Sequence, residues 1–330
     1  MNVIAMPAPL RQVYMLLSPK ALGYACLALE SLLRNSFEPL NLHLITDSEN
    51  DKRLLTTFML ELAPDPCHRW SVTAETELLD REAILFANLP HLRGFRRGHP
   101  CWRKVTDPLL LSAPGEELVL LDPDLYFPNI FRFEPTPSSG VLLMWQKPNC
   151  LLPPEVVRAA IDARIPLAHH VDIGVSHWRA GAGSSGPDLQ WIDWLIGKLG
   201  GPNLPRAMHV EAIVWAAIAM REGGGYLDPS LWHCWHRTQR KRVLRKLGVG
   251  GLRILRPEPW SRMKCFHAGG EAKWFLPDAK KAGLLERGPE HLEIGRIQPF
   301  EELTPARYGR EQSAKQMLRT LGYYQLFGAG

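Results

Sequence analysis

Glu117-Leu-Val-Leu-Leu-Asp-Pro-Asp124 is an unbroken apolar run that ends on two acids one residue apart. A strand without polar alternation is covered on both faces, as a central strand of a parallel sheet is, whereas a strand with one wet face alternates. Open parallel sheets gather ligands outside the carboxyl ends of such strands, so Asp122 and Asp124 stand where a site is expected. Toward the N-terminus, Val13 to Leu17 reads as a strand and Leu22 to Leu33 as a helix. Leu40 to Ile45 reads as a second strand, running into Thr46-Asp47-Ser48, a cap for a helix over Asp51 to Leu62. Trp70 to Thr73 is a third strand, with helices at Thr76 to Ala87 and Arg103 to Leu111 before the turn at Pro114-Gly115. This βαβα order predicts an α/β fold with a mostly parallel central sheet flanked by helices and a Rossmann-like first half.

Beyond Asp124 the alternation breaks down, because Pro, Ser and Gly punctuate residues 128–154. The later elements are strands at Val141 to Trp145 and Val171 to His177, a helix at Asp188 to Leu199 and an apolar helix over Val210 to Met220. No linker separates two independent domains, so the second half is expected to continue the same sheet.

Composition narrows the class. The chain has 330 residues, 45% of them apolar and 22% charged, with a formal balance of +5. That is enough chain for a large core, and too little basicity for a nucleic-acid partner. The six cysteines, Cys26, Cys67, Cys101, Cys150, Cys234 and Cys265, form no CxxC pair and no regular framework, which argues against both a zinc site and a secreted disulfide scaffold and for a reducing cytoplasm. Met1 to Leu10 lacks a basic flank followed by an apolar run, and no stretch reaches the roughly 20 apolar residues of a membrane span.

Two carboxylates presented by one turn can face a single divalent cation, and Mg²⁺ or Mn²⁺ is held by few carboxylates plus substrate phosphates. Asp-Pro-Asp is also an ordinary turn. The surroundings decide between these readings: Leu-Val-Leu-Leu before the acids and Leu-Tyr-Phe after them bury the pair, and buried carboxylates need a cation or donors. A second segment, His267-Ala-Gly-Gly270-Glu-Ala-Lys273-Trp274, supplies an imidazole, a glycine and a lysine suited to a cation and a diphosphate.

Together the two segments resemble the metal signature and the downstream His-Gly-Lys pattern of nucleotide-sugar glycosyltransferases with the A-type fold, in their retaining, glycogenin-like branch. His267, Gly270 and Lys273 keep that register, while the Pro expected before the Trp is missing. The resemblance implies that Asp122, Asp124 and His267 hold Mn²⁺ or Mg²⁺, with Asp122 also facing the nucleotide-sugar. It implies that Gly270 lets the backbone approach the diphosphate of a nucleoside diphosphate-sugar, UDP being the default, and that Lys273 pairs with its charge. Val171-Asp-Ile-Gly-Val-Ser-His-Trp-Arg179 resembles the family's Asn-Ala-Gly-Val strand with Asp172 in place of Asn. Asp172 would bind the sugar or attack the anomeric carbon; an Asp before a Gly is also a turn feature.

Glu211 falls near the family's acidic residue facing the sugar from a helix N-terminus, and would equally suit the helix dipole. Lys104 stands at the spacing of a phosphate- or sugar-contacting basic residue; a solvated helix face explains Lys104 and its neighbour Arg103 equally well. The family's early signal for the nucleotide base is not legible in Ser18-Pro-Lys-Ala-Leu-Gly-Tyr24. In Trp232-His-Cys-Trp-His236 two histidines and a cysteine suggest a metal, but no second ligand pair lies nearby in the sequence, so the motif reads as aromatic packing or a sugar-stacking platform. The basic run over residues 237–246 reads as a solvated face or a peripheral contact with an anionic membrane or an acidic acceptor.

The expectation is therefore an A-type catalytic domain over residues 1–275, with a nucleotide-binding half (1–125), an acceptor half (126–275) and a helical extension (276–330). It would be a retaining, cytoplasmic glycosyltransferase acting on a glycan or other hydroxyl acceptor. The rivals are a sugar-phosphate nucleotidyltransferase, which should carry a Gly-rich basic loop after the first strand, and a non-catalytic glycan-binding protein on the same fold.

Overall fold

The structure, a computed structural model, describes residues 10–149, 151–181, 188–286 and 288–327. The expectations for residues 1–9 and for Cys150 lie outside the described residues. Twelve strands occur along these residues: β1 Arg11–Leu16, β2 Leu40–Thr46, β3 Arg69–Ala74, β4 Glu117–Leu121, β5 Leu125–Tyr126, β6 Ile130–Phe131, β7 Val141–Trp145, β8 Val171–Arg179, β9 Gly224–Tyr226, β10 Trp232–Cys234, β11 Cys265–His267 and β12 Glu290–His291. Seven form the main sheet in the order β3-β2-β1-β4-β8-β7-β9. β1 to β4 are parallel, as the sequence predicts, and β8 alone runs against both of its neighbours.

β4 shows why its sequence has no alternation. Leu118 and Leu120 belong to one core, and Val119 and Leu121 to another on the opposite face of the sheet. The first core is built with Leu78 and Phe86, which flank helix α3 Leu79–Leu85, and with helices α4 Pro90–Arg96, α5 Arg103–Leu111, α6 Pro154–Asp162, α7 Leu189–Leu199 and α8 Val210–Glu222. The second is built with α1 Leu22–Asn35 and α2 Glu49–Leu62, the latter capped by Ser48, whose hydroxyl accepts from Asp51 N at 3.1 Å. Each fully buried Leu or Val contributes about 1.5–3 kcal/mol, so β4 cannot slip by one residue without exchanging its contacts on both faces.

A second, small sheet carries the site. β11 lies between β10 and β5, with His267 opposite Cys234 on one side and Leu125 on the other. Tyr126, Phe266, Ala268, Ala272 and Leu276 form a third core beneath it, together with α10 Gly251–Leu255 and α11 Leu276–Lys281. Because β5 begins one residue after Asp124, pairing with β11 fixes the second acid against His267; Ala268 N also donates to the Asp124 carbonyl at 2.9 Å.

Residues 288–304, expected within a helical extension, run extended across the body. β12 pairs with β6, and isolated bridges join Gln298 to Tyr226 and Glu302 to Ala168. Helix α12, Pro305–Thr320, is fastened by buried Tyr308, whose hydroxyl donates to the Pro154 carbonyl at 3.2 Å, and by Glu311 against His169 at 2.7 Å. No helix among the described residues is long and apolar enough to cross a membrane.

Candidate active site

Asp122 and Asp124 leave the carboxyl end of β4 as expected. The Asp122 N–H donates to the Gly174 carbonyl of β8 at 2.8 Å, which sets the turn. One oxygen of Asp124 lies 3.3 Å from His267 Nε2, and the other accepts from Lys273 Nζ at 3.1 Å. Oxygens of both acids and a ring nitrogen of His267 lie within 4.8 Å of one another, close enough for one cation. The two distant sequence segments therefore meet.

Lys104 is not on a solvated face. Its ammonium is buried between Asp122 Oδ1 at 2.6 Å and Glu211 Oε1 at 3.1 Å. Arg103, next to it, is equally buried, with Nη1 2.6 Å from Asp47 and Nε 2.8 Å from Asp107. Sequence reading weighed these charges as exposed because their partners lie on separate elements. Asp122 Oδ1 meets the Lys104 ammonium and no further donor, and buried Glu211 Oε2 has no hydrogen-bond partner. An unpaired carboxylate oxygen in the cleft fits a site that receives a hydroxyl donor.

Asp172 serves His267. Both of its oxygens lie 2.9 Å from His267 Nδ1; Oδ1 also accepts from Gly174 N at 2.7 Å, and Oδ2 from the Cys234 thiol at 3.2 Å. A Cβ on Gly174 would sit 2.7 Å from His267 Nδ1, so the glycine makes room for the imidazole. Sequence reading missed Cys234 as a neighbour of the site. Its motif did contain the right residue, but the partner lies 62 positions away. The tryptophans of that motif, Trp232 and Trp235, are packing residues, with Trp232 stacked on Phe133.

Burial opposes every charge here, and the neighbours decide the outcome. Burial pushes the Asp122 carboxyl up despite Lys104. Burial would also raise Asp124 and Asp172, but His267 holds both below the usual carboxylate range. Burial works against a charged His267, yet Asp172 and Asp124 raise it well above an ordinary histidine. The two acids thus favour a proton on the ring, Asp172 facing Nδ1 and Asp124 facing Nε2. Glu211 is pushed up to about 8, by burial and secondarily by Asp122, against the pull of Lys104.

Gly270 has φ +63°, a conformation costly for a side chain, and a Cβ there would meet nothing within 4 Å, so the loop has an open face. Lys273 Nζ lies 4.7 Å from the Tyr24 ring, and Tyr24 meets Trp274 edge-on at 5.1 Å. Tyr24, in a segment with no legible base signal, is thus brought to the site. The basic run forms helix α9, Gln239–Lys246, where Lys241 pairs with Glu258 at 2.6 Å and Arg245 with Glu271 at 3.2 Å; Arg237 meets Glu271 at 3.4 Å. Much of its charge is spent inside the molecule.

No protein-family model matches the chain, and no curated protein does. Among solved structures it is similar to mouse xyloside xylosyltransferase 1 in its apo form, at 14% identity over 79% of this chain and 98% of the other, with a TM-score of 0.49. It is also similar to the galactosyltransferase LgtC in complex with donor and acceptor sugar analogs (11%, 83% and 94%, TM-score 0.44). A third likeness is to the mannosyltransferase Ktr4p of S. cerevisiae in complex with GDP (10%, 65% and 68%, TM-score 0.42). At these scores the likenesses assign no role to any residue of the site.

Proposed function

We propose that the chain is a divalent-metal-dependent glycosyltransferase that draws its sugar from a nucleoside diphosphate-sugar. More particularly, it is a retaining enzyme of the glycogenin-like kind, with uridine diphosphate as the carrier. The observation that carries the proposal is the meeting of Asp122, Asp124 and His267, with Lys273 on the same carboxylate. Mn²⁺ or Mg²⁺ would be held by those three side chains, and when bound it supplies charge neutralisation for the departing diphosphate.

The chain's own groups do the rest. Lys273 offers a point charge to the diphosphate and Gly270 an open backbone face. Tyr24 and Trp274 form an aromatic corner beside them for the nucleotide base. Glu211, with one oxygen on Lys104 and the other unpaired, faces the donor sugar's hydroxyls. Asp172, whose oxygens are both engaged, acts as a positioning residue: it takes the proton on His267 Nδ1 and leaves Nε2 to the metal. Acceleration then comes from placing charge where the leaving group develops it.

Two observations weigh against the rivals. The segment after β1 turns through a short 3₁₀ helix, Pro19–Ala21, and carries no Gly-rich loop of the kind a nucleotidyltransferase needs. A decayed, non-catalytic binder would be favoured by an incomplete ligand set, and Asp122, Asp124 and His267 are all brought together.

The test is thermal stabilisation by a panel of nucleoside diphosphates with and without Mn²⁺, since a ligand at a hundred times its Kd adds about 2.7 kcal/mol. At least one nucleotide is expected to raise the melting temperature only when metal is present, and Asp124→Ala to remove that effect. The proposal fails if no nucleotide acts in this way or if the variant responds like the wild type.

A further inference from the structure

His267 touches a second group of metal-ligating atoms. Its Nδ1, an oxygen of Asp172 and the thiol of Cys234 lie within 4.8 Å of one another, as do the atoms of the first group, which also includes His267. Asp172 and Cys234 are each 5% exposed. Of the two sets, one is a hard pair of carboxylates with an imidazole, and the other replaces a carboxylate with a thiol. Thiolate selects zinc and other soft cations, while carboxylate and water suit Mg²⁺ and Mn²⁺.

The spacing admits such an ion, and the thiol is what favours it. Tetrahedral bonds of about 2.0 Å to nitrogen and oxygen and about 2.3 Å to sulfur put N and O about 3.3 Å apart and S and O about 3.5 Å apart. Here His267 Nδ1 is 2.9 Å from Asp172, and Cys234 Sγ is 3.2 Å from it. These hydrogen-bonded distances need open by only a few tenths of an ångström. β10 and β11 hold Cys234 and His267 as cross-strand partners, so both side chains are delivered by one rigid pairing.

We propose that Asp172, Cys234 and His267 form a second site, for a thiophilic cation such as Zn²⁺ or Cd²⁺, whose occupation excludes the working metal. The exclusion comes from the ring, and its direction rests on the reading that the working metal takes Nε2. A cation on Nε2 leaves the remaining proton on Nδ1, donated to Asp172. A cation on Nδ1 displaces that proton and the thiol proton to solvent, and leaves the remaining ring proton on Nε2, donated to Asp124. A neutral imidazole offers one lone pair and cannot serve both cations. No electrons are transferred. The site would make the enzyme sensitive to zinc at concentrations where Mn²⁺ supports it.

The experiment uses the full chain and Co²⁺ as the spectroscopic probe. Wild type is expected to show thiolate-to-cobalt charge-transfer absorption in the near ultraviolet. Asp124→Ala should keep it, since the thiol site does not use Asp124, while Cys234→Ser and His267→Ala should lose it. Circular dichroism of both losing variants separates loss of the site from loss of the fold; if Cys234→Ser unfolds, Cys234→Ala replaces it. Absence of the band in wild type, or its survival in a folded Cys234 variant, overturns the proposal. In the second arm, Zn²⁺ is titrated against the Mn²⁺-dependent nucleotide stabilisation. Suppression in wild type at a concentration at least tenfold below that needed in the Cys234 variant supports exclusion, and equal suppression refutes it. The cobalt band can succeed when no nucleotide binds, so failure of the transferase reading and failure of the second site are distinguishable.

Discussion

Replacing Asp172 by Asn tests whether that carboxylate works through His267. The side chain keeps its shape and one oxygen, and the Gly174 N–H can still be accepted. What is lost is the charge beside Nδ1 and the certainty of the tautomer, because the new NH₂ can donate to Nδ1 and send the ring proton to Nε2. In the wild type both oxygens lie 2.9 Å from Nδ1. Partners of this kind typically change metal affinity by 10- to 100-fold, or about 1.4–2.7 kcal/mol. Mn²⁺ binding, followed by paramagnetic resonance of the free ion at fixed nucleotide concentration, should weaken within that range. A denaturant titration checks that the variant is folded. Cys234→Ala, which removes only a weak donor to the same carboxylate, should move Mn²⁺ affinity less than threefold or so, given the modest worth of such a bond. If Asp172→Asn binds Mn²⁺ like the wild type while Asp124→Ala does not bind it, Asp172 does not position the ligand, and its place would be at the sugar.

Further outcomes follow from packing and burial. Gly174→Ala puts a methyl group 2.7 Å from His267 Nδ1 and should weaken Mn²⁺ at least as much as Asp172→Asn, read by the same titration. His177 is fully buried and held neutral, its pKa lowered to about 3 by burial, with Arg11 and Lys264 pushing the same way. The unfolded chain binds that proton near pH 6.5, so stability is present at pH 7 and is lost as pH falls from 6.5 toward 3; linkage puts the loss between pH 7 and 5 at about 2 kcal/mol. Denaturant midpoints should show His177→Leu losing correspondingly less over that interval, and equal losses would refute the assignment. Arg96 is buried with Glu82 and Asp107, the latter 2.7 Å from its Nε, but Arg97 stays 2.8 Å from Glu82 and Arg103 2.8 Å from Asp107. Arg96→Met should therefore destabilise by less than the roughly 3–5 kcal/mol of a buried pair left wholly uncompensated, measured by the same titration.

What the sequence disclosed, and what it withheld, follows from how each feature is held. β4 was legible because two cores flank it, and its residues record both. Its neighbour β8 is buried along almost its whole length, which marks a central strand but carries no sign of direction, so its antiparallel course could not be read. The small sheet was invisible because strands of two or three residues have no period; only partners far along the chain define them. Arg103 and Lys104 stayed open between a binding role and a solvated face for a related reason. A charge looks solvated until its counter-charges are located, and theirs come from the end of β2, from α5, from the turn after β4 and from the start of α8. His267 was found as a residue type in the right register. Its meaning lies in which acid faces which nitrogen, and that is fixed by the pairing of β11 with β5 on one side and β10 on the other. On the proposed reading, a cation on Nε2 is held more tightly when an acid accepts a hydrogen bond from the ring's remaining N–H. The strand that brings Asp172 to Nδ1 would then tune what the turn that brings Asp124 to Nε2 begins.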